Sequence, residues 1–399
     1  MRIALKFVGW TLLAILGLIG VLIAMNWTIA KNVYLTRDAK IMDVDRFAPR
    51  RIVAGCDIGP LEAHAQSPIQ AAVIDEMQAY SLSHGGVGLI VLVDGKIAGE
   101  AYRDGADQTT RTRSFSMHKS VLGLAYGHAL ADGIIESMDD PIGTYLTEWA
   151  DDPRGAIPIG AFLTMASGMR SPSFLDDQWE ATKFLLSSKV TETALSMDQR
   201  GEPWSQFWYK NVDSQLAGAA LNRALKAAGK TGYAAYLSEK IWCPIGAQDA
   251  LLWPEDETGD PRFYANLDAT VRDWVRVGQM IAENGAFMGN QVMPDGWIET
   301  YKTPSKTNPN YGIQVWLSSP YVKERAYNPA SPVKVLQSVP HLANDIIFFD
   351  GFGGQRVYVS PSNNLVIARS GEVSDTWDDA ILVNLALEAL RAAPQASAR

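Results

Sequence analysis

Strand-forming segments sit near both ends of this 399-residue chain, and a long helix- and loop-like stretch from about Asp139 to Asn290 separates them. Near the first end, Val87 to Val93 and Lys96 to Tyr102 are rich in β-formers and are joined by Asp94-Gly95, residues that accept the positive φ of a two-residue hairpin turn. Near the other end, Arg356 to Ser360 and Leu365 to Arg369 flank the turn Pro361-Ser362-Asn363-Asn364. A helix is expected from about Thr376 to Arg391, capped by Ser374. Ahead of the first hairpin, Ser67-Pro68-Ile69-Gln70 predicts a helix with Ser67 as N-cap, Pro68 at its first position and Gln70 closing a capping box, ending near Gly85 and Gly86. Such an order requires distant segments to complete one sheet. It predicts an α+β fold, an α/β sandwich whose antiparallel sheet is flanked by N- and C-terminal helices, with an inserted, mostly helical lobe at about residues 136–290. No segment recurs at a fixed period, which excludes solenoids and propellers.

The N-terminus has a different character. Arg2 and Lys6 precede an uncharged apolar run from Phe7 to Trp27, long enough for a bilayer core, which takes about 20 residues as a helix. The positive-inside rule then makes residues 1–6 a cytoplasmic stub and 7–27 a single transmembrane anchor, with the rest of an inner-membrane protein on the periplasmic side. The alternative is a signal peptide cut at Thr28-Ile29-Ala30, which would release the protein into the periplasm. Residues 28–61 mix Pro, Asp and Arg without a period and are expected to be a linker, leaving 62–395 as the main domain. The formal charge of −9 and the lack of a Lys/Arg cluster exclude a nucleic-acid partner and favour a small-molecule substrate. Cys56 and Cys243 have no metal-binding spacing; they form one disulfide, or Cys243 is simply a small buried apolar group.

Three short motifs can carry chemistry. In Ser116-Met117-His118-Lys119, a spacing of three on a helix running to about Ala131 puts a hydroxyl and an amine on one face. A serine needs a neighbouring base, and a desolvated lysine loses its preference for the charged form and can be that base. Ser331-Pro332-Val333-Lys334 has the same spacing but no long apolar helix behind it. In Tyr209-Lys210-Asn211, just ahead of another helix, the phenol can shuttle a proton and the Asn211 amide can donate to a substrate carbonyl. Tyr264-Ala265-Asn266 repeats that spacing. Finally, Gly351-Phe352-Gly353-Gly354-Gln355 opens a strand where glycine lets a substrate approach the backbone and an N–H meet an oxyanion, with the Ser116 N–H as second donor. His118 lies at the wrong helical angle to face the serine and is expected to be a packing or surface residue. There is no G-x-S-x-G elbow and no H-E-x-x-H helix, and His64, His84, His128 and His341 form no ligand set, so neither a metal nor a cofactor is expected.

Taken in this order, the motifs resemble the serine β-lactamase and penicillin-binding-protein superfamily, whose pattern is S-x-x-K, then Y-x-N, then a Lys/His-Thr-Gly strand. The resemblance covers nearly everything after about residue 65 and is nearest to class C-like hydrolases and the 6-aminohexanoate-dimer hydrolase group. Met138-Asp139-Asp140-Pro141, Leu163-Thr164-Met165-Ala166-Ser167-Gly168 and Asn266 to Asp273 look like further landmarks. It implies that Ser116 is acylated, that Lys119 is its base or electrostatic partner, and that Tyr209 relays the proton and helps activate water. The chain departs from the pattern at the third motif, where Phe349-Asp350-Gly351 is the nearest register and the Phe352 N–H the implied oxyanion donor. An aspartate there would repel a substrate carboxylate. The expected activity is therefore hydrolysis of esters or linear amides through an acyl-enzyme on Ser116. The alternatives are a DD-peptidase or β-lactamase, and a catalytically silent, membrane-anchored binding protein of the same fold.

Overall fold

The computed structural model describes residues 2–173 and 177–393. The strands of its two main sheets are β1 (Arg51–Val53), β2 (Gly86–Val93), β3 (Lys96–Tyr102), β4 (Arg111–Thr112), β5 (Ala250–Leu252), β6 (Leu267–Thr270), β7 (Trp316–Leu317), β8 (Ile347–Gly351), β9 (Gln355–Ser360) and β10 (Leu365–Gly371). The helices that matter below are α1 (Arg2–Met25), α2 (Trp27–Thr36), α3 (Ala71–Ser83), α4 (Met117–Ala131), α5 (Asn211–Ala227), α6 (Val271–Ala282) and α7 (Asp379–Ala392).

The large sheet has the order β3-β2-β10-β9-β8-β7, antiparallel throughout. Val93 pairs with Leu365 and Leu89 with Arg369, so the first hairpin is completed by the last strand, as the separation of β-rich ends requires. Asp94 and Gly95, at φ 49° and 73°, make the hairpin turn. Every residue of β2 is buried because both faces of the sheet are covered. Leu89, Val91 and Val93 pack with Met77 of α3 and Leu382 and Val383 of α7. Ile90 and Leu92 join Trp274, Val277 and Met280 of α6 and the apolar side of the lobe. Each such side chain contributes about 1.5–3 kcal/mol by leaving water. Gly278 lets α6 approach closely, since a Cβ there would lie 2.4 Å from Val366 Cγ1. A capping box between Thr270 and Asp273 starts that helix.

Several boundaries differ from the sequence reading. Helix α3 begins only at Ala71, with Gln70 as an N-cap that makes no side-chain bond. Ser67 instead accepts from Ile69 N at 3.2 Å and donates to Ala98 O at 3.0 Å, pinning the approach segment to β3. Helix α7 is capped by Asp378, which accepts from Ala380 N at 2.9 Å, rather than by Ser374. Trp377 and Asp379 are drawn into a buried polar cluster, and that holds the chain ahead of α7 out of helical conformation. The lobe region also supplies β5 and β6, which join β1 and β4 in a second sheet of order β1-β5-β6-β4. Strands of three or four residues show too little alternation to be read from sequence.

The stretch expected to be a linker folds onto the domain. Ile41, Phe47 and Val53 are buried, the guanidinium of Arg113 lies 4.3 Å over the Phe47 ring, and Arg50 pairs with Asp268 at 3.0 Å. Cys56 is disulfide-bonded to Cys243, 187 positions away. Closing so long a loop restricts the unfolded chain strongly, so Cys56→Ser with Cys243→Ser is expected to lower stability by about 2–5 kcal/mol. Equal urea midpoints for the parent and this variant would show that the bond contributes nothing.

At the N-terminus, α1 and α2 meet at an 85° bend. Among the described residues no single helix is long and apolar enough to cross a membrane, while the pair Trp10–Met25 and Trp27–Thr36 together has the length and composition to do so. Trp10, Leu13, Leu16 and Leu18 are more than half exposed, with no protein packed over them. Helix α2 rests on the lobe, where Asn32 Nδ2 donates to Leu186 O at 2.7 Å. The side chains of Arg2 and Lys6, and residues 394–395 at the expected domain end, lie outside what is described.

Candidate active site

Helix α4 lies between β8 and α5, and its first turn carries the serine. Phe115 just ahead of it has φ 46°, a left-handed conformation that costs a bulky residue energy and persists only where its surroundings enforce it. Asn266 N donates to Phe115 O at 3.2 Å, and Ser114 Oγ accepts from Leu267 N at 3.0 Å, clamping the turn to β6. Ser116 is half-buried and makes no capping bond to its own helix, so its hydroxyl remains available.

Lys119 is 1 % exposed, and its Nζ meets three acceptors: Ser116 Oγ at 3.0 Å, Asn211 Oδ1 at 2.8 Å and Tyr264 O at 2.9 Å. Among the described residues it has no ion-pair partner. Desolvation pulls its pKa down to about 7 against the opposing field of Asp350, so near neutral pH a large fraction is the free amine. That amine has two hydrogens for the two carbonyl oxygens and one lone pair left for the Ser116 hydroxyl. In its neutral form the amine can accept a hydrogen bond from the Ser116 hydroxyl, 3.0 Å away.

The rings of Tyr209 and Tyr264 flank the amine, with Nζ 4.9 and 5.6 Å from their centroids. Tyr209 is half-buried, and its backbone N donates to Tyr327 O at 3.0 Å. Its ring lies 5.3 Å from Trp316 and 5.2 Å from Tyr327, an aromatic wall that fixes its direction. Desolvation and then Asp350 push its phenol well above the usual range, while the Ser116 hydroxyl pulls the other way. Tyr209 is therefore a neutral donor at working pH.

The third segment reaches the same place. A Cβ on Gly351 would sit 2.5 Å from Ser114 O, so only glycine lets β8 lie against the turn that carries Ser116. Phe352 is 49 % exposed and meets Phe115 edge-on, centroids 6.0 Å apart. Ser116, Lys119, Tyr209, Asn211, Gly351 and Phe352 are thereby gathered from three distant stretches.

Asp350 corrects one expectation. It is not a bare charge facing the substrate, because it is buried and paired with Arg325 at 2.7 Å and Arg356 at 2.6 Å. Both arginines also hold Asp379, at 3.2 and 2.7 Å, so the four charges cancel. Both arginines beside Asp350 are thus committed to carboxylates of the chain itself. Arg325 and Tyr327 come from a hairpin pairing Glu324–Ala326 with Lys334–Leu336, and nothing local in the sequence marks them as site residues. In the same hairpin region, Ser331 Oγ donates to Val333 O and Lys334 pairs with Glu324, so the second Ser-x-x-Lys makes no contact of its own.

Tyr264 contributes its carbonyl to Lys119 Nζ, a role that the repeated Tyr-x-Asn spacing hinted at only by chance. His118 is a buried packing residue, with Nδ1 at 3.1 Å from Ala265 O and Nε2 at 3.0 Å from the Tyr233 hydroxyl. Burial pulls its pKa down to about 4, so it is neutral and braces the loop that presents the Tyr264 carbonyl.

Comparison with known proteins bears on the family and the fold. A 6-aminohexanoate-dimer hydrolase from Paenarthrobacter ureafaciens is 22 % identical over 228 residues, 53 % of this chain, and the match spans only about half of that relative, 55 %. A solved Bacillus anthracis protein, described as a candidate 6-aminohexanoate-dimer hydrolase, superposes with a TM-score of 0.70 at 19 % identity, covering 88 % of this chain and 92 % of that one. A penicillin-binding-protein homologue from Caulobacter crescentus has a TM-score of 0.59 at 14 % identity, covering 85 % and 100 % of the two chains. At such identities the structures speak for the fold alone. The family model described as Beta-lactamase matches residues 70–371, a span that holds all three motifs and all six strands of the large sheet, and the chain belongs to that family.

Proposed function

We propose that this serine-hydrolase-type enzyme cleaves esters or linear amides in two steps through an acyl-enzyme on Ser116. The observation that carries the reading is the buried Lys119 amine, 3.0 Å from Ser116 Oγ with its other two directions occupied by carbonyl oxygens. As the amine takes the serine proton, Oγ adds to the substrate carbonyl. The developing oxyanion is received by the Ser116 and Phe352 N–H groups, and the Asn211 amide donates to the acyl chain. The proton passes through Tyr209 to the leaving oxygen or nitrogen, which departs as alcohol or amine. Water then repeats the attack on the ester of Ser116, and the carboxylic acid leaves.

The neutral cluster around Asp350 favours substrates without a carboxylate at that position. A curated relative named for a 6-aminohexanoate dimer, itself a linear amide, points the same way. The decisive comparison sets p-nitrophenyl esters and linear amides against nitrocefin and D-amino-acid peptides. A burst of p-nitrophenol followed by steady turnover, with nitrocefin about 10- to 100-fold slower in kcat/KM, is expected, since losing a charge-assisted contact costs about 1.5–3 kcal/mol. Nitrocefin turnover as fast as ester turnover, or rapid release of D-alanine from a stem peptide, would instead favour the β-lactamase or DD-peptidase reading.

We also infer that α1 anchors the enzyme in the inner membrane with its catalytic domain on the periplasmic side. The exposed apolar side chains Trp10, Leu13, Leu16 and Leu18 suit lipid, and the Cys56–Cys243 bond suits an oxidising compartment.

A further inference from the structure

Lys210 stands between Tyr209 and Asn211 in extended backbone, φ −153° and ψ 150°. In such backbone alternate side chains leave on opposite sides, so the two that meet Lys119 leave Lys210 to point away from the site. It does so into the core. Its side chain is 2 % exposed and ends 3.0 Å from Asp213, whose side chain is 0 % exposed, in the first turn of α5. The other oxygen of Asp213 accepts from Ser167 Oγ at 2.6 Å, and that hydroxyl oxygen accepts from Met169 N at 3.1 Å. Lys210 N meets Met165 Sδ at 3.5 Å, so the same turn grips the segment twice. A fully buried ion pair returns little net stability, because desolvating both charges offsets their attraction. Its effect is to forbid alternatives: any slip of residues 209–211 separates two charges with no water to receive them.

We propose that the buried Lys210–Asp213 pair is a positioning device for the hydrolytic site, holding Tyr209 and Asn211 in register with Ser116 and Lys119 from behind. The proposal rests on the reading of Tyr209 and Asn211 as site groups. Burial pushes the Asp213 carboxyl up to about 6, with Lys210 and the Ser167 hydroxyl pulling it back. Among the described residues, the other titratable group that senses Asp213 is Tyr311, which stays protonated across the working range. Below pH 6 the pair therefore loses its anion, and positioning weakens in addition to protonation of Lys119.

The test is the double variant Lys210→Met with Asp213→Asn, which removes both buried charges and keeps a group for Ser167. With a p-nitrophenyl ester, kcat should fall about 10- to 100-fold while KM moves less than about threefold, as expected for misplaced rather than missing groups. In the parent, log kcat/KM should steepen toward two protons below pH 6; in the double variant it should keep a one-proton slope. Lys210→Arg, which preserves the pair, should retain most of the parent kcat. A folded double variant with kcat within about twofold of the parent overturns the proposal. If the double variant does not fold, a one-proton limb in the parent down to pH 5 overturns it as well. Activity surviving Ser116→Ala would sink the hydrolytic reading itself, so the two failures are separable.

Discussion

Ser116→Ala should abolish covalent labelling by a fluorophosphonate probe and cut ester turnover on the order of 10⁴- to 10⁶-fold, the scale seen when a serine hydrolase loses its nucleophile. The substitution removes one oxygen from a half-buried position that caps nothing and closes no core contact. Its effect on stability should stay within about 0.5 kcal/mol, so an unchanged melting temperature would separate lost chemistry from lost structure. Lys119 keeps two of its three acceptors in the variant, Asn211 Oδ1 and Tyr264 O, and stays where it is. If the variant labels as well as the parent, the chain is better read as a binding protein that has kept the fold.

Replacing the base tests the other half of the pair. Lys119→Met should lower kcat/KM by about 10²- to 10⁴-fold, the usual contribution of a positioned general base. The sign of the pH dependence follows from the direction of the shift. Burial holds the Lys119 ammonium down to about 7 from an ordinary value near 10.5, and the neutral amine is the active form. Parent kcat/KM should therefore climb as pH rises through about 7 and level off above it, rather than wait for alkaline pH. The limb belonging to Lys119 should vanish from whatever activity Lys119→Met retains. A parent profile flat from pH 5.5 to 8.5 would mean that the amine is not the proton acceptor.

Those features whose signals are local were legible before any coordinates. Asp94-Gly95 can hardly be anything but a tight turn between β-rich runs, and a spacing of three on an apolar helix puts Ser116 and Lys119 on one side. The Tyr-x-Asn spacing occurs twice, and in the structure the Tyr209 ring and Asn211 oxygen lie against Lys119 together with the Tyr264 ring and carbonyl. The caps of α3 and α7 differ from the local pattern because tertiary bonds outweigh it: Ser67 serves β3, and Trp377 and Asp379 serve a buried cluster.

By itself the amino-acid order determined four of the six strands of the large sheet and which short motifs can react, because backbone preference and helical spacing act over a few residues. Only the folded chain decided that Cys56 finds Cys243, that residues 28–61 lie on the domain, and that Arg325 and Arg356 pair with Asp350. It also decided that the carbonyl of Tyr264 completes the surroundings of the lysine. These outcomes depend on burial and charge among residues far apart in sequence, where desolvation sets the energy and no local pattern records it.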